Sequence, residues 1–321
     1  MVVDSSDWRA SASLHTLELR AKLLSQLRQF FAERNVMEVE TPLLGRRTVS
    51  DLHLRSFVIA DNSSDKQPLY LQTSPEYAMK RLLACGSGSI YQLSKVFRRE
   101  EESRLHNPEF TLLEWYRVDF SLELLMKEVE ALLQMLCGCS AVPRYSYGDL
   151  IQQFCGINPY TIEPTELEAY TRCTLSLSLN ALDSVDCLQL LMSNLIEPEL
   201  PEYCFITDYP AAQAALAATT RLPDGTLVAQ RFELYVGGME LANGYYELTD
   251  ATEQLRRFKQ DQEQRSIRSL EPLAVDERLL AAMETGLPAC AGVALGVDRL
   301  LMRLIGADCI NEVLAFPFDR A

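Results

Sequence analysis

Long apolar runs are missing from this sequence, and so is a secretory leader. No stretch of about 18 consecutive apolar residues occurs, the length that a membrane-spanning helix needs. The first residues, MVVDSSDWRASASLH, lack the apolar centre of a signal peptide. The sequence therefore predicts a cytoplasmic protein that does not enter the membrane.

Paired cysteine and histidine ligands are missing as well. The nine cysteines include no CxxC, only the CxC of Cys137 and Cys139. The three histidines, His15, His53 and His106, do not have the spacing of metal ligands. These patterns predict free thiols in a reducing compartment and no zinc site.

Basic residues are scarce: 30 Lys and Arg stand against 45 Asp and Glu, a formal net charge of −15. This balance argues against a broad nucleic-acid-binding surface, because phosphate contacts need clustered basic side chains, although a small basic patch is still possible. The 321 residues are 48% hydrophobic and 23% charged, which is typical of a globular chain with one large domain or two small ones.

The predicted strands cluster in hairpins instead of alternating with helices. Strands are predicted at 68–73, 89–100, 109–118, 203–209, 227–238, 240–248 and 312–316. Helices are predicted at 14–34, 75–85, 121–137, 250–269 and 275–285, with starts at Ser74–Pro75, Ser121, Thr165, Ser184 and Asp250. Residues 140–200 are predicted to be a mostly helical insertion. This order favours an α+β fold with an antiparallel sheet over a doubly wound sheet.

Charged and aromatic side chains recur at every second position of several predicted strands, so they share strand faces. Two sets are Arg98, Glu100 and Glu102, and Phe110, Leu112, Glu114 and Tyr116. In the later hairpin, one predicted face carries Asn243, Tyr245 and Glu247, and another carries Arg231, Glu233 and Tyr235. Each set alone could be a solvated face with incidental ion pairs. Repeated on several strands, they favour a charged cleft that binds a ligand.

The stretch GVALGVDRLLMRL, residues 292–304, runs from a glycine-containing strand into a helix with Arg299 in its first turn. Small residues, a helix N-terminus and an arginine together suit a phosphate. The stretch matches neither GxxxxGK[ST] nor GxGxxG. Tight strand–helix packing explains its spacing equally well.

Three stretches resemble the motifs of class II aminoacyl-tRNA synthetases. FAERNVMEVETPLL, whose strand ends at Pro42, resembles motif 1, the dimer-interface helix and strand of that family. VFRREEESRLHNPEFTLLEWY, residues 96–116, resembles motif 2, and GVALGVDRL, residues 292–300, resembles motif 3. TSPE at 73–76 and RFELYVGGMELANGYYEL at 231–248 are similar to the lysyl-tRNA synthetase catalytic domain. The resemblance implies an antiparallel sheet flanked by helices, and a homodimer.

About 13 residues precede the motif 1 helix, so the sequence predicts an N-terminal extension at 1–13 and one catalytic domain at 14–321, without an OB-fold that reads the anticodon. This combination resembles the bacterial enzymes that aminoacylate a lysine of elongation factor P instead of tRNA. Such enzymes act with a lysine 2,3-aminomutase and prefer (R)-β-lysine. A minimal tRNA-lysylating enzyme and an inactive binding module are the alternatives, and the choice between α-lysine and (R)-β-lysine stays open.

The resemblance also implies which residues bind ATP. Arg98 would bridge the α-phosphate and the substrate carboxylate, and Glu100 would accept the adenine amino group. Phe110 and Arg299 would sandwich the adenine ring, which makes Arg98 and Arg299 the catalytic candidates. Further nucleotide candidates are Arg99, Asn107, Glu240, Leu241 and Gly296. On its position alone Arg99 is a loop charge, like Glu101, Glu102 and Arg104, and His106 is predicted to hold the loop by a hydrogen bond.

Metal and amino-acid contacts follow from the same resemblance. Glu233 and Glu240 would bind Mg²⁺ across the phosphates, because that ion prefers oxygen ligands. Glu247 and Tyr116 would hold the side-chain ammonium of lysine. Further substrate candidates are Ser74, Pro75, Glu76, Glu114, Asn243 and Ala294. Ala294 departs from the glycine of the synthetases; it would either crowd the amine-bearing carbon and favour a β-amino acid, or pack neutrally on the far side of its strand.

Overall fold

The computed structural model of the chain describes residues 8–52, 54–60, 67–99, 102–139, 141–177 and 182–321. The helices are α1 Leu14–Ala32, α2 Glu76–Ala84, α3 Leu122–Cys137, α4 Tyr147–Cys155, α5 Pro164–Leu175, α6 Ser184–Leu191, α7 Ala251–Ile267, α8 Glu277–Gly286 and α9 Val297–Ile305. The strands are β1 Met37–Glu38, β2 Leu44–Gly45, β3 Val58–Ile59, β4 Leu69–Leu71, β5 Ile90–Phe97, β6 Glu109–Val118, β7 Arg144–Ser146, β8 Tyr203–Thr207, β9 Thr219–Arg221, β10 Leu227–Ala229, β11 Arg231–Val236, β12 Met239–Tyr246 and β13 Cys290–Gly296.

The chain divides into two compact units. The first unit holds Met1–Asp119 and Thr249–Ala321, and the second holds Phe120–Leu248. Within the first unit, β5, β6 and β13 pair antiparallel in that order, and β1 joins β5 as a short parallel edge. A separate small sheet has the order β2-β4-β3.

The sheet of the first unit buries one face against α1. This helix begins at its N-cap Ser13, whose side chain accepts a hydrogen bond from the backbone N–H of Thr16. The ring of Phe31 stacks on Tyr91 of β5 at 4.4 Å and meets Trp115 of β6 edge-on at 5.3 Å. Because side chains alternate along a strand, the residues between these positions point to the opposite face.

The second unit has its own sheet portion and its own core. β12 and β8 both pair antiparallel with β11, and β7 adds to β8 in parallel. The helices α4, α5 and α6 bury apolar side chains such as Ile151, Leu167 and Leu188 in one cluster with Ile206 of β8. Residues 141–177 and 182–200 are mostly helical, in agreement with the predicted pattern, although they open with the short strand β7. That they form an insertion stays a prediction.

These pairings agree with the predicted α+β fold and its antiparallel sheet. Ser121 and Asp250 are N-caps, as predicted, since their side chains accept backbone N–H bonds at the starts of α3 and α7. All nine cysteines are free, which confirms the predicted thiols. Among the described residues, no helix is both long and apolar enough to cross a bilayer.

Two helix starts in the second unit were predicted wrongly. Thr165 was predicted to cap α5, but the helix already begins at Pro164. A proline suits the first helical position because it has no N–H that needs a partner. The cap of α6 is Asp183, in a reciprocal capping box with Asp186, so Ser184 is the first helical residue instead of the cap.

Three strand predictions were also wrong in part. Residues 312–316 form no strand; a 3₁₀ turn at Ile310–Glu312 precedes them, and the carbonyls of Leu314 and Ala315 accept hydrogen bonds from Ala12 and Ser11. The predicted strand at 89–100 ends at Phe97. The predicted strand at 227–238 is divided into β10 and β11.

Candidate active site

The predicted nucleotide hairpin lies in the first unit. Arg98 directly follows β5, its backbone N–H bonds to the carbonyl of Pro108, and its guanidinium carbon lies 5.1 Å from the ring centroid of Phe110 on β6. The predicted strand face shared by Arg98 and Glu102 is wrong, because β5 ends before Arg98. Glu100 lies outside the described residues, and Arg99 is exposed.

The motif 2 loop is tied to α9 through His106. Nε2 of His106 lies 2.6 Å from Nη2 of Arg299, and its Nδ1 lies 2.8 Å from the hydroxyl of Ser103. Burial, followed by the charges of Arg299 and Arg98, lowers the pKa of His106 to about 4. The neutral ring therefore accepts from Arg299 at Nε2 and donates to Ser103 from Nδ1, in agreement with the predicted role of His106 in holding the loop.

Asn107 is buried, and both ends of its amide bond to the backbone. Its Nδ2 donates to the carbonyl of Glu109 at 2.7 Å, and its Oδ1 accepts from the N–H of Phe318 at 2.9 Å. These bonds tie the start of β6 to the C-terminal segment. A contact between Asn107 and the nucleotide stays a prediction.

Motif 3 is anchored by a buried aspartate. Asp298 accepts from the guanidinium of Arg20 on α1 at 2.6 Å and from the N–H of Thr111 on β6 at 2.6 Å. The same helical turn therefore holds Arg299 in position. At Gly296 an added Cβ would meet only the side chain of Arg299, at 3.8 Å, so packing within the protein does not require a glycine there. This fits the prediction that the nucleotide approaches the chain at Gly296.

The TSPE segment leads into α2. The hydroxyl of Ser74 accepts from the N–H of Glu76, and Pro75 occupies the cap, so the helix begins one residue later than predicted. Glu76 forms an ion pair with Lys80 at 2.6 Å, and the Lys80 side chain is 1% exposed. Sequence reasoning missed Lys80, although its i+4 spacing from Glu76 is a recognisable pattern.

The substrate candidates on β6 and β13 share the face that points away from α1. Glu114 pairs in register with Ala294, and Tyr116 with Gly292. The hydroxyl of Tyr116 donates to Oε1 of Glu114 at 2.7 Å, and both residues are buried. The register therefore places Ala294 beside Glu114 and removes support for the alternative that Ala294 lies on the far side of its strand.

The second unit gathers its candidates around Glu233. Oε2 of this buried carboxylate accepts from the hydroxyls of Tyr209 and Tyr235, at 2.6 and 2.8 Å. Its Oε1 accepts from Arg231 and, at 3.4 Å, from Nδ2 of Asn243. Burial, and then the charge of Glu233, raises the pKa of both tyrosines, so they stay protonated and donate. Tyr209 was missed, because it is distant in sequence from β11.

The register of β11 and β12 corrects one detail of the predicted faces. Glu233 pairs with Asn243 and Arg231 with Tyr245, so the two sets predicted on separate faces lie on one. A bulge after Leu234 places Glu240 opposite Tyr235, and Leu241 is buried. Glu247 is 2% exposed and bridges to Ala217, so it does not belong to a solvated strand face.

Two carboxylates in this unit, Glu233 and Glu240, provide the oxygen ligands that Mg²⁺ prefers. Phosphate and water oxygens would complete the coordination of the ion. Glu240 follows the bulge, and the hydroxyl of Tyr235, opposite it, also donates to Glu233. Glu233 would have to exchange one of its four hydrogen bonds for the ion. In the described part of the chain, no group of three or more His, Cys, Asp or Glu residues could hold a metal by itself.

The fold and these two constellations define a class II synthetase catalytic domain. The family model of class II tRNA synthetases (D, K and N) matches residues 4–320, so the chain belongs to this family, and it is an enzyme of the ligase type. Similar proteins carry the name elongation factor P--(R)-beta-lysine ligase. The one from Vibrio cholerae serotype O1 is 49% identical over 99% of both chains, and those from Proteus mirabilis and Hamiltonella defensa are 46% and 45% identical over at least 98% of each chain.

Proposed function

We propose that this protein activates (R)-β-lysine, or lysine, with ATP and transfers it to the ε-amine of a specific lysine of elongation factor P. The observation that carries the proposal is the identity of 44–49% over nearly the whole chain with relatives named for that reaction. The first unit holds the nucleotide candidates Arg98, Phe110 and Arg299, and the second holds the carboxylates Glu233, Glu240 and Glu247.

Activation is an attack of the substrate carboxylate on the α-phosphate of ATP, which forms an aminoacyl-adenylate and releases pyrophosphate. The carboxylate is already ionised, so the step needs alignment and charge stabilisation and no general base. Arg98 binds the α-phosphate and the carboxylate with its planar fork. Phe110 and Arg299 hold the adenine between them, and the neutral His106 keeps Arg299 in place.

The remaining nucleotide contacts follow the family pattern. They are Arg99, Glu100, Asn107, Glu240, Leu241 and Gly296. Mg²⁺ held by Glu240 and Glu233 would neutralise phosphate charge. The arrangement of Glu240 and Glu233 on one face of the β11–β12 hairpin supports this assignment.

The amino acid binds through its two ammonium groups and its carboxylate. Glu247 and Tyr116 hold the side-chain ammonium, and the burial of both residues strengthens a charge-assisted bond. Ser74, Pro75 and Glu76 contact the amine near the carboxylate, with Glu114, Asn243 and Ala294 nearby. A lysine 2,3-aminomutase would supply the β-isomer.

Transfer completes the reaction. The deprotonated ε-amine of the acceptor lysine attacks the acyl carbon of the adenylate and forms the new amide bond. The bond between the acyl carbon and the phosphate oxygen breaks, AMP leaves, and the nitrogen loses one proton to water. Residues 145–220 hold ten acidic residues and one basic residue, Arg172. This local excess of negative charge would speed encounter with a basic patch around the acceptor lysine.

The working form is a homodimer built on the motif 1 region. Large apolar side chains in and around β1, β2 and β3 are exposed. They are Met37, Leu43, Leu44, Val58 and Ile59, each 40–50% exposed. A second copy that covers them would form a two-fold interface.

The test is the intact mass of elongation factor P after incubation with this protein, ATP and each lysine isomer. We expect the mass of one lysyl group, with the larger yield from (R)-β-lysine. Efficient charging of tRNA with no mass change on elongation factor P would instead show a minimal tRNA-lysylating enzyme. Absence of both products would favour an inactive binding module.

A further inference from the structure

Gln92 has no assigned role, yet it is one of the most deeply buried polar side chains of the first unit. It lies in the middle of β5 and is 2% exposed. Its neighbour Tyr91 faces α1, where it stacks on Phe31. Because side chains alternate, Gln92 points to the opposite face, where Glu114 and Tyr116 lie.

Three residues form a row across the sheet on this face. Gln92 pairs in register with Glu114, and Glu114 pairs with Ala294 on its other side. Directly opposed residues have Cβ atoms about 5 Å apart, so Gln92 and Glu114 are immediate neighbours.

The carboxamide oxygen of Gln92 has no hydrogen-bond donor among the residues that the structure describes. A buried carbonyl oxygen left without a donor is unfavourable, and such atoms are rare in native proteins. An external donor at this position would satisfy it. The donor has to suit a site next to a carboxylate, which favours a cation.

We propose that Gln92 is a substrate-binding residue whose Oε1 accepts a hydrogen bond from the side-chain ammonium of the amino acid, beside Glu114. The inference rests on the proposed function, which supplies (R)-β-lysine as the substrate. It adds an amide acceptor for the side-chain ammonium to Glu247 and Tyr116, the residues proposed above for that group.

The chemistry of the row fits an ammonium group. An ammonium has three N–H donors and no acceptor. Glu114 supplies a negative charge and Gln92 a neutral oxygen, so an ammonium between them gains two acceptors, and Gln92 adds no further charge. The hydroxyl of Tyr116 donates to Oε1 of Glu114 and holds that carboxylate in place.

The test is ATP–pyrophosphate exchange by the wild-type protein and by Gln92→Met, with two amino acids. One is (R)-β-lysine, and the other is (R)-3-aminohexanoate, which has the same skeleton without the terminal ammonium. Methionine has nearly the length of glutamine and no comparable acceptor. We expect the KM for (R)-β-lysine to rise about 10- to 100-fold, as for loss of one bond to a charged group. The KM for ATP and for (R)-3-aminohexanoate should not change.

Ser94→Ala is the matched control. Ser94 lies on the same face two residues along β5, and its hydroxyl is 3.3 Å from Nε2 of Gln72. Removing this hydroxyl should leave the KM for (R)-β-lysine unchanged. If Gln92→Met does not fold, Gln92→Asn serves in its place, because it keeps the amide but withdraws it by one methylene.

An unchanged KM for (R)-β-lysine, or an equal rise for both amino acids, would overturn the inference and leave the proposed function standing. A lower Tm with unchanged KM values would show that the amide is structural or binds a buried water, and would overturn it as well. Absence of exchange by the wild-type protein with every lysine isomer is a different result, which would overturn the proposed function and this inference together.

Discussion

Nη2 of Arg299 lies 2.6 Å from Nε2 of His106, and this contact requires a neutral imidazole. Arginine can only donate, so the ring nitrogen that it contacts must be the acceptor. A protonated ring would be repelled by two cations, Arg299 and Arg98, and for this reason both charges lower the pKa of His106. The motif 2 loop and the motif 3 helix are therefore joined by a bond that exists only while this histidine is uncharged.

A dependence of stability on pH follows. The folded-state pKa of His106 is about 4, whereas an unfolded histidine has its usual value near 6.5. Between these values the unfolded chain binds a proton that the folded chain excludes, so stability falls as pH decreases from about 6.5 to about 4. Above about pH 6.5, His106 is neutral in both the folded and the unfolded chain, so it does not make stability depend on pH. We expect the Tm of the wild-type protein to fall more between pH 7.5 and pH 5 than the Tm of His106→Asn.

His15 provides the control, because its side chain is 78% exposed on α1. His15→Asn should follow the wild-type Tm at both pH values. Parallel curves for wild type and His106→Asn would contradict the lowered pKa of His106 in the folded protein.

Arg98→Ala should abolish adenylate formation while the fold survives. Its guanidinium is placed over Phe110, where it would meet charge that develops at the α-phosphate. Losing one such contact typically costs about 10²–10³ in rate. Arg98→Lys should recover little, because an ammonium cannot replace the planar fork. ATP–pyrophosphate exchange measures the loss, and circular dichroism checks the fold.

Arg104→Ala is the matched control within the same loop. The guanidinium of Arg104 donates to the carbonyl of Asp308, which is a structural contact. Exchange near the wild-type rate in Arg98→Ala would remove Arg98 from the mechanism.

Glu247→Gln should weaken selection for a side-chain ammonium. The residue is almost fully buried, so its charge is poorly screened and its loss should be large. We expect the preference for lysine over norleucine in pyrophosphate exchange to fall by at least about tenfold, with the KM for ATP unchanged. Full discrimination in the variant would show that another group selects the ammonium.

Most of the correct predictions of strands and helix caps rest on patterns within a few neighbouring residues. The two strands flanking the motif 2 loop and the caps Ser121 and Asp250 follow from alternation and hydrogen-bonding chemistry over a few residues. The contacts Tyr209–Glu233 and Asn107–Phe318 join residues 24 and 211 positions apart. No local pattern encodes such pairs, because they depend on how the strands are ordered.

A similar limit explains the assignment of faces. The sequence predicted Glu233 and Asn243 on separate faces, whereas the two residues are directly opposed. Strand register decides which residues are opposed, and the bulge after Leu234 shifts that register. Gln92 was overlooked because a single glutamine in a strand is unremarkable until its neighbours across the sheet are known.

The exposed apolar side chains of the motif 1 region predict a homodimer. Leu44→Glu places a charge within this surface on β2, where the leucine is 43% exposed. A buried unpaired charge would oppose association, so light scattering at micromolar concentration should show a dimer for wild type and a monomer for the variant. Leu124→Glu is the control: Leu124 is 45% exposed on α3, outside motif 1. A wild-type monomer at that concentration would refute the dimer.

Ala294→Gly should raise the activation of α-lysine relative to (R)-β-lysine. The methyl group lies in register with Glu114 on the substrate face, where a close-packed site responds to a single carbon. A β-amino acid carries its amine one carbon farther from the carboxylate, so it can avoid a methyl group that displaces the amine of an α-amino acid. Discrimination by one such group is typically about 10- to 200-fold, and pyrophosphate exchange on both isomers measures it.

Ala291→Gly separates this effect from a general loosening of β13. Ala291 belongs to the same strand and is fully buried, but it points to the same face as Val293, opposite to that of Ala294. The same change there should lower the Tm and leave the ratio of kcat/KM values for the two isomers as in the wild type. If Ala294→Gly also leaves that ratio unchanged, the methyl group does not select the isomer, and selection must come from the groups that hold the amine, with Glu76 as the first candidate.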